Sequence, residues 1–313
     1  MRSHEIHRGL VAVTGAGGFI GMHAVAALEN AGFAVRSLLG PLSDASAKTC
    51  AASGMYADIC DPSAIRDLVI GADTVVHMAG PPSVAESLRD PARFARTHVE
   101  GTTCVLEACR QAQIRHIVYL SSAEIFGRPA TEFVAEDHPF SPRSAYAAAK
   151  IGAESMIAAF SASFGLSSTI LRPFSVYGPG GSPQSLLGEL IRSLNAGGQL
   201  QVRDLRPIRD YVYVRDVAAA IVSAVKLRQD CGVLPFNLGT MRGTSVAELC
   251  YLLAAAYGSD AQIVQIFQDR RPVGSEIVRL VADNTRARDV LGWTPTTTLE
   301  AGLRLTADAL APA

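Results

Sequence analysis

The stretch Leu10-Val11-Ala12-Val13-Thr14-Gly15-Ala16-Gly17-Gly18-Phe19-Ile20-Gly21 decides how this chain is read. Four apolar residues make a short strand. Gly15, Gly18 and Gly21 then stand where the backbone must turn tightly before a helical stretch opens at Phe19 and Ile20. A helix starting there directs unpaired N–H groups and the positive end of its dipole at an anion, and a pyrophosphate is the group this turn suits. Glycine-rich turns also serve as plain connections, but strand, turn and helix coincide here, so the stretch points to a dinucleotide.

Working outward, β-branched runs at Ala34–Leu38, Thr74–His77, His116–Leu120 and Ser168–Leu171 alternate with helical stretches at Phe19–Ala31, Pro62–Ile70, Ala92–Ala112 and Ser144–Ser163. Repeated βαβ units of this kind predict an α/β fold, a Rossmann doubly wound parallel sheet over residues 1–173. After Pro173 the regularity fades into a Gly/Pro-rich turn (Gly178 to Pro183), a helix near Ser185–Asn195 and a Pro/Arg segment around Arg203–Arg209, which suggest loops over a cleft. Further helices are expected at Val214–Lys226, Ser245–Tyr257, Asn284–Leu291 and Leu299–Leu310. The expectation is a smaller, mostly C-terminal α/β substrate-binding lobe made of 174–213 and 241–313, with 214–240 returning to the nucleotide domain. The small polar run Ser43–Ser53 reads as a mobile loop.

Composition narrows the classes. The chain has 313 residues, 49% of them apolar, and a formal net charge of -1. A core of that size needs no staples. The balanced charge provides no global field for nucleic acid or an anionic membrane, so any anion site is local. The polar segment Met1 to Arg8 and the short apolar run after it make no signal core, and no apolar stretch nears the roughly 20 residues of a membrane span. The expected location is cytoplasmic. Six cysteines, at 50, 60, 104, 109, 231 and 250, lack Cys-x-x-Cys or His spacing and read as buried free thiols, with no metal site.

The usual acidic residue about 20 positions after the glycine turn, which would hold ribose hydroxyls, is absent; the strand end has Leu39 there. Arg36 reads either as a solvated strand residue or as a 2′-phosphate contact, so NAD is expected with NADP left open. Asp58-Ile59 reads as an adenine contact, or Asp58 as the cap of the helix that starts near Pro62.

Tyr146 and Lys150 stand four apart on one helix face in Ser144-Ala145-Tyr146-Ala147-Ala148-Ala149-Lys150. A nearby cation lowers a phenol from a pKa of about 10 towards neutrality. The resulting phenolate suits proton removal from a sugar hydroxyl as hydride leaves the same carbon. The strand Ile117–Leu120 runs into Ser121-Ser122-Ala123-Glu124, placing hydroxyls at a strand's carboxyl end, where open α/β sheets carry ligands. Ser122 reads as sharing the substrate oxygen with Tyr146. Glu124 stays open between an exposed turn carboxylate and a general base.

Taken together, the motifs resemble the extended short-chain dehydrogenase/reductase family, specifically its NAD-dependent nucleotide-sugar epimerases and dehydratases of the UDP-glucose 4-epimerase kind. The likeness covers nearly the whole chain. It rests on T-G-A-G-G-F-I-G at 14–21, A-D-I-C-D at 57–61, H-M-A-G at 77–80, S-S-A-E-I-F-G at 121–127, Y-A-A-A-K at 146–150, R-P-F-S-V-Y-G-P at 172–179, R-D-Y-V-Y-V at 209–214 and L-G-W-T-P at 291–295. The resemblance implies catalytic roles for Ser122, Tyr146 and Lys150. It implies cofactor contacts at Met78, Ala79, Gly80, Ser121 and near Pro173, and substrate contacts at Ser83 and Ser175. It further implies that Arg209 and Arg271 bind the diphosphate of a sugar nucleotide, for which arginine's bidentate donors are suited. The family also makes a homodimer the expected assembly. Two positions depart from the pattern: His98 stands where relatives often carry Asn before Gly-Thr, and Ser175 where many epimerases place an Asn.

An epimerase needs only the Tyr/Ser/Lys set, whereas a 4,6-dehydratase usually follows its Ser/Thr with an acid/base pair. Here Glu124 is preceded by Ala123, so C4 epimerisation ranks first, dehydration second and an NADPH-dependent keto-sugar reductase third. A dinucleotide-binding regulator that has lost its chemistry is the remaining reading.

Overall fold

The computed structural model describes residues 8–40, 54–227, 232–266 and 276–310; the loop expected at Ser43–Ser53 lies outside them. Two compact units emerge, one of Met1–Ser122, Ser144–Arg172 and Ala218–Phe236, the other of Ala123–Arg143, Pro173–Val217 and Asn237–Ala313.

The first unit is built on β1 (Arg8–Thr14), β2 (Phe33–Leu39), β3 (Met55–Tyr56), β4 (Thr74–His77), β5 (His116–Leu120), β6 (Ser167–Pro173) and β11 (Val233–Leu238), in the order β11-β6-β5-β4-β1-β2-β3. The pairs from β3 across to β6 are all parallel. Every residue of β4, β5 and β6 is buried, as expected for a parallel sheet covered on both faces. The chain winds outward from β1 through β2 to β3 and then returns to β4 on the other side of β1. The strand order reverses there, and doubly wound sheets bind ligands at that point.

Local capping explains where the helices begin. Asp61 accepts from the backbone N–H of Ser63 and Ala64 and is followed by Pro62 in the first turn of Pro62–Val69. Ser144, Ser185 and Ser245 each accept the N–H three residues on, opening Ala145–Phe164, Leu186–Asn195 and Val246–Ala256. The single helix expected over Ala92–Ala112 is divided into a helix Pro91–Ala95, a π-helical turn Arg96–Glu100 and a helix Gly101–Gln111. A widened turn accommodates one extra residue inside an otherwise continuous helix, and no proline or cap marks it in the sequence. It buries His98.

The second unit carries short strands. β7 (Ser175–Tyr177) pairs in parallel with β10 (Tyr211–Tyr213), β9 (Ile208–Arg209) lies between β12 (Thr244–Ser245) and β14 (Arg279–Leu280), and β8 (Leu200–Val202) pairs with β13 (Ile263–Gln265). Its core gathers Leu190, Leu194, Leu200, Leu249, Leu253 and Leu303 with the rings of Tyr177 and Tyr213. The segment Ala123–Arg143, expected with the nucleotide domain, belongs here. Val134 N–H donates to Val281 O, Asp283 N–H to Val134 O, and Asn237 N–H to the buried Glu136 carboxylate. These bonds join residues about 100 or more positions apart, and no local signal encodes them. Two buried carboxylates hold the rest of the unit. Asp210 accepts from Thr240 N–H and Oγ1–H, Met241 N–H and Ala282 N–H, and Asp216 accepts from Thr296 and Thr297 while its carbonyl takes the Trp293 indole N–H.

Candidate active site

The glycine turn behaves as its spacing requires. Gly15 has φ +72°, and a Cβ there would stand 2.8 Å from Ala79 N, so the backbone of β1's end lies directly against that of β4's end. A Cβ on Gly21 would collide with the Gly15 carbonyl oxygen. Helix Phe19–Asn30 therefore starts close over the turn, and its N-cap, Gly18, makes no side-chain cap bond. That arrangement leaves backbone donors and the positive helix end for a pyrophosphate.

Behind the turn runs a buried relay. Thr14 Oγ1 accepts the N–H groups of Met78 and Ala79, so its own proton goes to His77 Nδ1 at 2.7 Å. Nε2 of His77 then donates to Thr102 Oγ1 at 3.0 Å. Burial, then the Lys150 charge, pulls the His77 pKa down to about 3, so the ring is neutral and ties β1, β4 and helix Gly101–Gln111 together.

Ser122, Tyr146 and Lys150 all lie in the first unit. Tyr146 is buried, its ring edge-on to Phe94 and His98 with centroids 6.2 and 5.5 Å away. Lys150 is 4% exposed and donates to Leu120 O at 2.7 Å; its ammonium stands 4.8 Å from the centre of the Tyr119 ring and 6.0 Å from that of Tyr146. Burial pulls the Lys150 pKa down to about 7, with Glu154 opposing. Ser122 is the second residue beyond β5. Ser121 N–H donates to Leu171 O, and its buried hydroxyl has no hydrogen-bond partner, a polar atom suited to a ligand at the strand's carboxyl end.

A Gly15 that admits no side chain, an uncapped helix start and an orphaned Ser121 hydroxyl next to the residue whose carbonyl holds Lys150 make a fitting cradle for a nicotinamide dinucleotide. The family model of the NAD dependent epimerase/dehydratase family matches residues 11–239. The chain belongs to this family. It is 33% identical over 309 residues to the UDP-glucose 4-epimerase of Mycolicibacterium smegmatis, covering 95% of this chain and 96% of that one. It is 31% identical to a dTDP-glucose 4,6-dehydratase of Streptomyces griseus, covering 94% and 92%. Among solved structures, the UDP-glucose 4-epimerase of Thermotoga maritima with UDP-glucose superposes with a TM-score of 0.87 at 29% identity, covering 96% of this chain and 98% of that one.

As a member of the NAD-dependent epimerase/dehydratase family, the chain still departs from its sequence reading at several positions. Arg36 is half-buried, and its Nη1 donates to the carbonyls of Leu68 at 2.9 Å, Ile70 at 2.6 Å and Asp67 at 3.4 Å. It thereby closes the C-terminus of helix Pro62–Val69, where a cation also suits the dipole. Asp61, not Asp58, caps that helix. Asp58 accepts Cys60 N–H and pairs with the exposed Arg96. The Ile59 side chain is buried against Gly101. Ser83 caps helix Val84–Arg89 through Glu86 N–H. His98 Nε2 donates to Pro81 O at 3.1 Å, its Nδ1 is buried without a partner, and its ring fills the space a side chain on Gly80 would need.

In the second unit, Pro173 ends β6 and Ser175 starts β7, with Ser175 N–H donating to Asp210 O. Arg209 is mostly buried and faces Glu276 at 3.3 Å, a partner that no spacing in the sequence suggests. Arg271 lies outside the described residues. Glu124 is the second residue of a short 3₁₀ turn, Ala123–Phe126, in which Ala123 is buried. Cys109 and Cys250 are buried free thiols, while Cys60 and Cys104 are only half-buried. Among the described residues no His/Cys/Asp/Glu group is arranged to hold a metal, and no helix is long and apolar enough to cross a membrane.

Proposed function

We propose that the protein is an NAD-dependent nucleotide-sugar 4-epimerase. The observation that supports this most directly is the segment 121–127. It provides Ser122 two residues after Leu120, whose carbonyl accepts the Lys150 ammonium, but the residue before Glu124 is a buried alanine, so the second carboxyl group of an acid/base pair is missing. Bound NAD supplies a ring that accepts a hydride and gives it back. Tyr146 takes the C4 hydroxyl proton in the oxidative half and returns it in the reductive half. Ser122 shares the same substrate oxygen, and Lys150 provides the positive charge that favours the phenolate. The keto sugar turns between the two halves, so no cofactor is consumed. The engagement of Arg36 with three carbonyls speaks for NAD over NADP, since that guanidinium is committed elsewhere.

Incubation with a panel of nucleotide sugars, read by NMR, tests the proposal. A C4-inverted product without net NADH is expected, while a 4-keto-6-deoxy product would replace it with dehydration. Glu124→Gln separates the same two reactions: an epimerase keeps its rate within about threefold, whereas an enzyme that uses this carboxylate to move a carbon-bound proton loses about 10²-fold or more.

Arg209 is proposed to bind the substrate diphosphate, exchanging part of its contact with Glu276 for phosphate oxygens. Arg209→Ala is expected to raise KM about 10- to 100-fold, the cost of a charge-assisted contact, with kcat little changed because ground and transition states share that contact. An unchanged KM in steady-state assays would return Arg209 to a structural pair with Glu276.

A further inference from the structure

The first unit contains a buried ion pair that the proposed chemistry does not use. Arg172 Nη2 stands 2.7 Å from Glu154 Oε2, and Nε donates to Oε1 at 3.1 Å; the two side chains are 5% and 6% exposed. Such pairs seldom stabilise a fold more than packed apolar residues would, because both ions lose their hydration. The location suggests a different use. Glu154 follows Lys150 by one turn on the same helix face. Arg172 follows Leu171, the strand partner of Leu120, whose carbonyl accepts the Lys150 ammonium. The pair is thus attached to both supports of Lys150, the helix that carries it and the strands it leans on.

The groups facing Lys150 from the surrounding elements are Tyr146 and Glu154 on its own helix, Tyr119 on β5, His77 on β4 and His98 on the π-helical turn. Burial holds both imidazoles neutral, at about 3 and about 2, and raises the Tyr119 phenol. This leaves Glu154, paired with Arg172, as the carboxyl neighbour that opposes burial at Lys150. Burial alone draws Lys150 towards its uncharged form, and Glu154 works against it.

We infer that Glu154 is the counter-charge that keeps Lys150 cationic beside Tyr146, and that Arg172 is a positioning residue that fixes the Glu154 carboxylate in place while offsetting part of its charge. The inference rests on the proposed role of Lys150, and its test reads that cation directly. The chain has three lysines, Lys48, Lys150 and Lys226. An NMR titration of lysine-labelled protein therefore shows few side-chain signals, and the one lost in Lys150→Arg is Lys150. In Glu154→Gln the Lys150 midpoint falls by about one pH unit or more, because the carboxylate is gone and a lone guanidinium remains. In Arg172→Met it rises by about half a unit, since the carboxylate then faces Lys150 uncompensated. A purely structural role would not move the midpoint in opposite directions, so shifts of one sign, or none, overturn the inference.

Should Glu154→Gln fail to fold, the double variant Glu154→Leu/Arg172→Met buries no lone charge and is compared with Arg172→Met. Its Lys150 midpoint must be lower, and equal midpoints overturn the inference. Shifted midpoints in a protein that turns over no nucleotide sugar would leave the coupling in place and remove the proposed function. Unmoved midpoints in an active epimerase would do the reverse.

Discussion

Tyr146→Phe is expected to lower turnover by about 10²- to 10⁴-fold, the usual contribution of a positioned acid/base group, and to leave NAD affinity within a few-fold of the parent protein. The separation follows from what the side chain touches. Its ring packs edge-on against Phe94 and His98, and a phenylalanine ring makes both contacts equally well. Only the hydroxyl is removed, and with it the atom that takes and returns the sugar proton. Steady-state kinetics alongside calorimetric titration with NAD distinguishes the outcomes. Turnover close to the parent's would end the proton-transfer role, whereas loss of NAD binding in step with turnover would mean that the ring had moved.

The second large effect is expected at Gly15. A Gly15→Ala chain must hold an alanine at φ +72°, which costs about 1–2 kcal/mol by itself. Its Cβ would also press on Ala79 N and the Met78 carbonyl carbon, both 2.8 Å away. That pressure separates the ends of β1 and β4 at the point where the pyrophosphate is expected, so NAD affinity should fall by more than about tenfold, or about 1.4 kcal/mol. The unliganded protein should melt several degrees lower. Gly18→Ala is the matched control, because Gly18 has φ -80° and its added Cβ would meet only the Gly15 carbonyl oxygen, at 3.3 Å. Melting curves with and without NAD decide the matter, and a Gly15→Ala chain as strongly stabilised by NAD as the parent would contradict the account.

Much of the fold was legible because its signals are local. The strand at 74–77, the strand at 116–120 and the helices at 214–226 and 299–310 appear at the expected bounds, since apolar runs, caps and prolines act within a few residues. The Tyr146/Lys150 pair was legible for the same reason, as helical geometry alone puts residues four apart on one face. The π-helical turn at Arg96–Glu100 was not, because no proline or cap marks it in the sequence. The partners of Arg36, Arg209 and Arg172 were also hidden. A long cation reads as solvated until a carbonyl or carboxylate, brought from 18 to 67 residues away, is found beside it.

The amino-acid sequence by itself determined that a parallel sheet forms, that a glycine turn ends its first strand and that a phenol and an ammonium share one helix face. Each of these depends on neighbours within about one turn or one strand. The tertiary structure alone decided how the ammonium's environment is set. Lys150 is stripped of water by the strands beneath it and balanced by a glutamate that an arginine on β6 holds in place. Desolvation and charge pairing act through space, so a group's acidity depends on what the fold packs around it rather than on the residues adjacent in the chain.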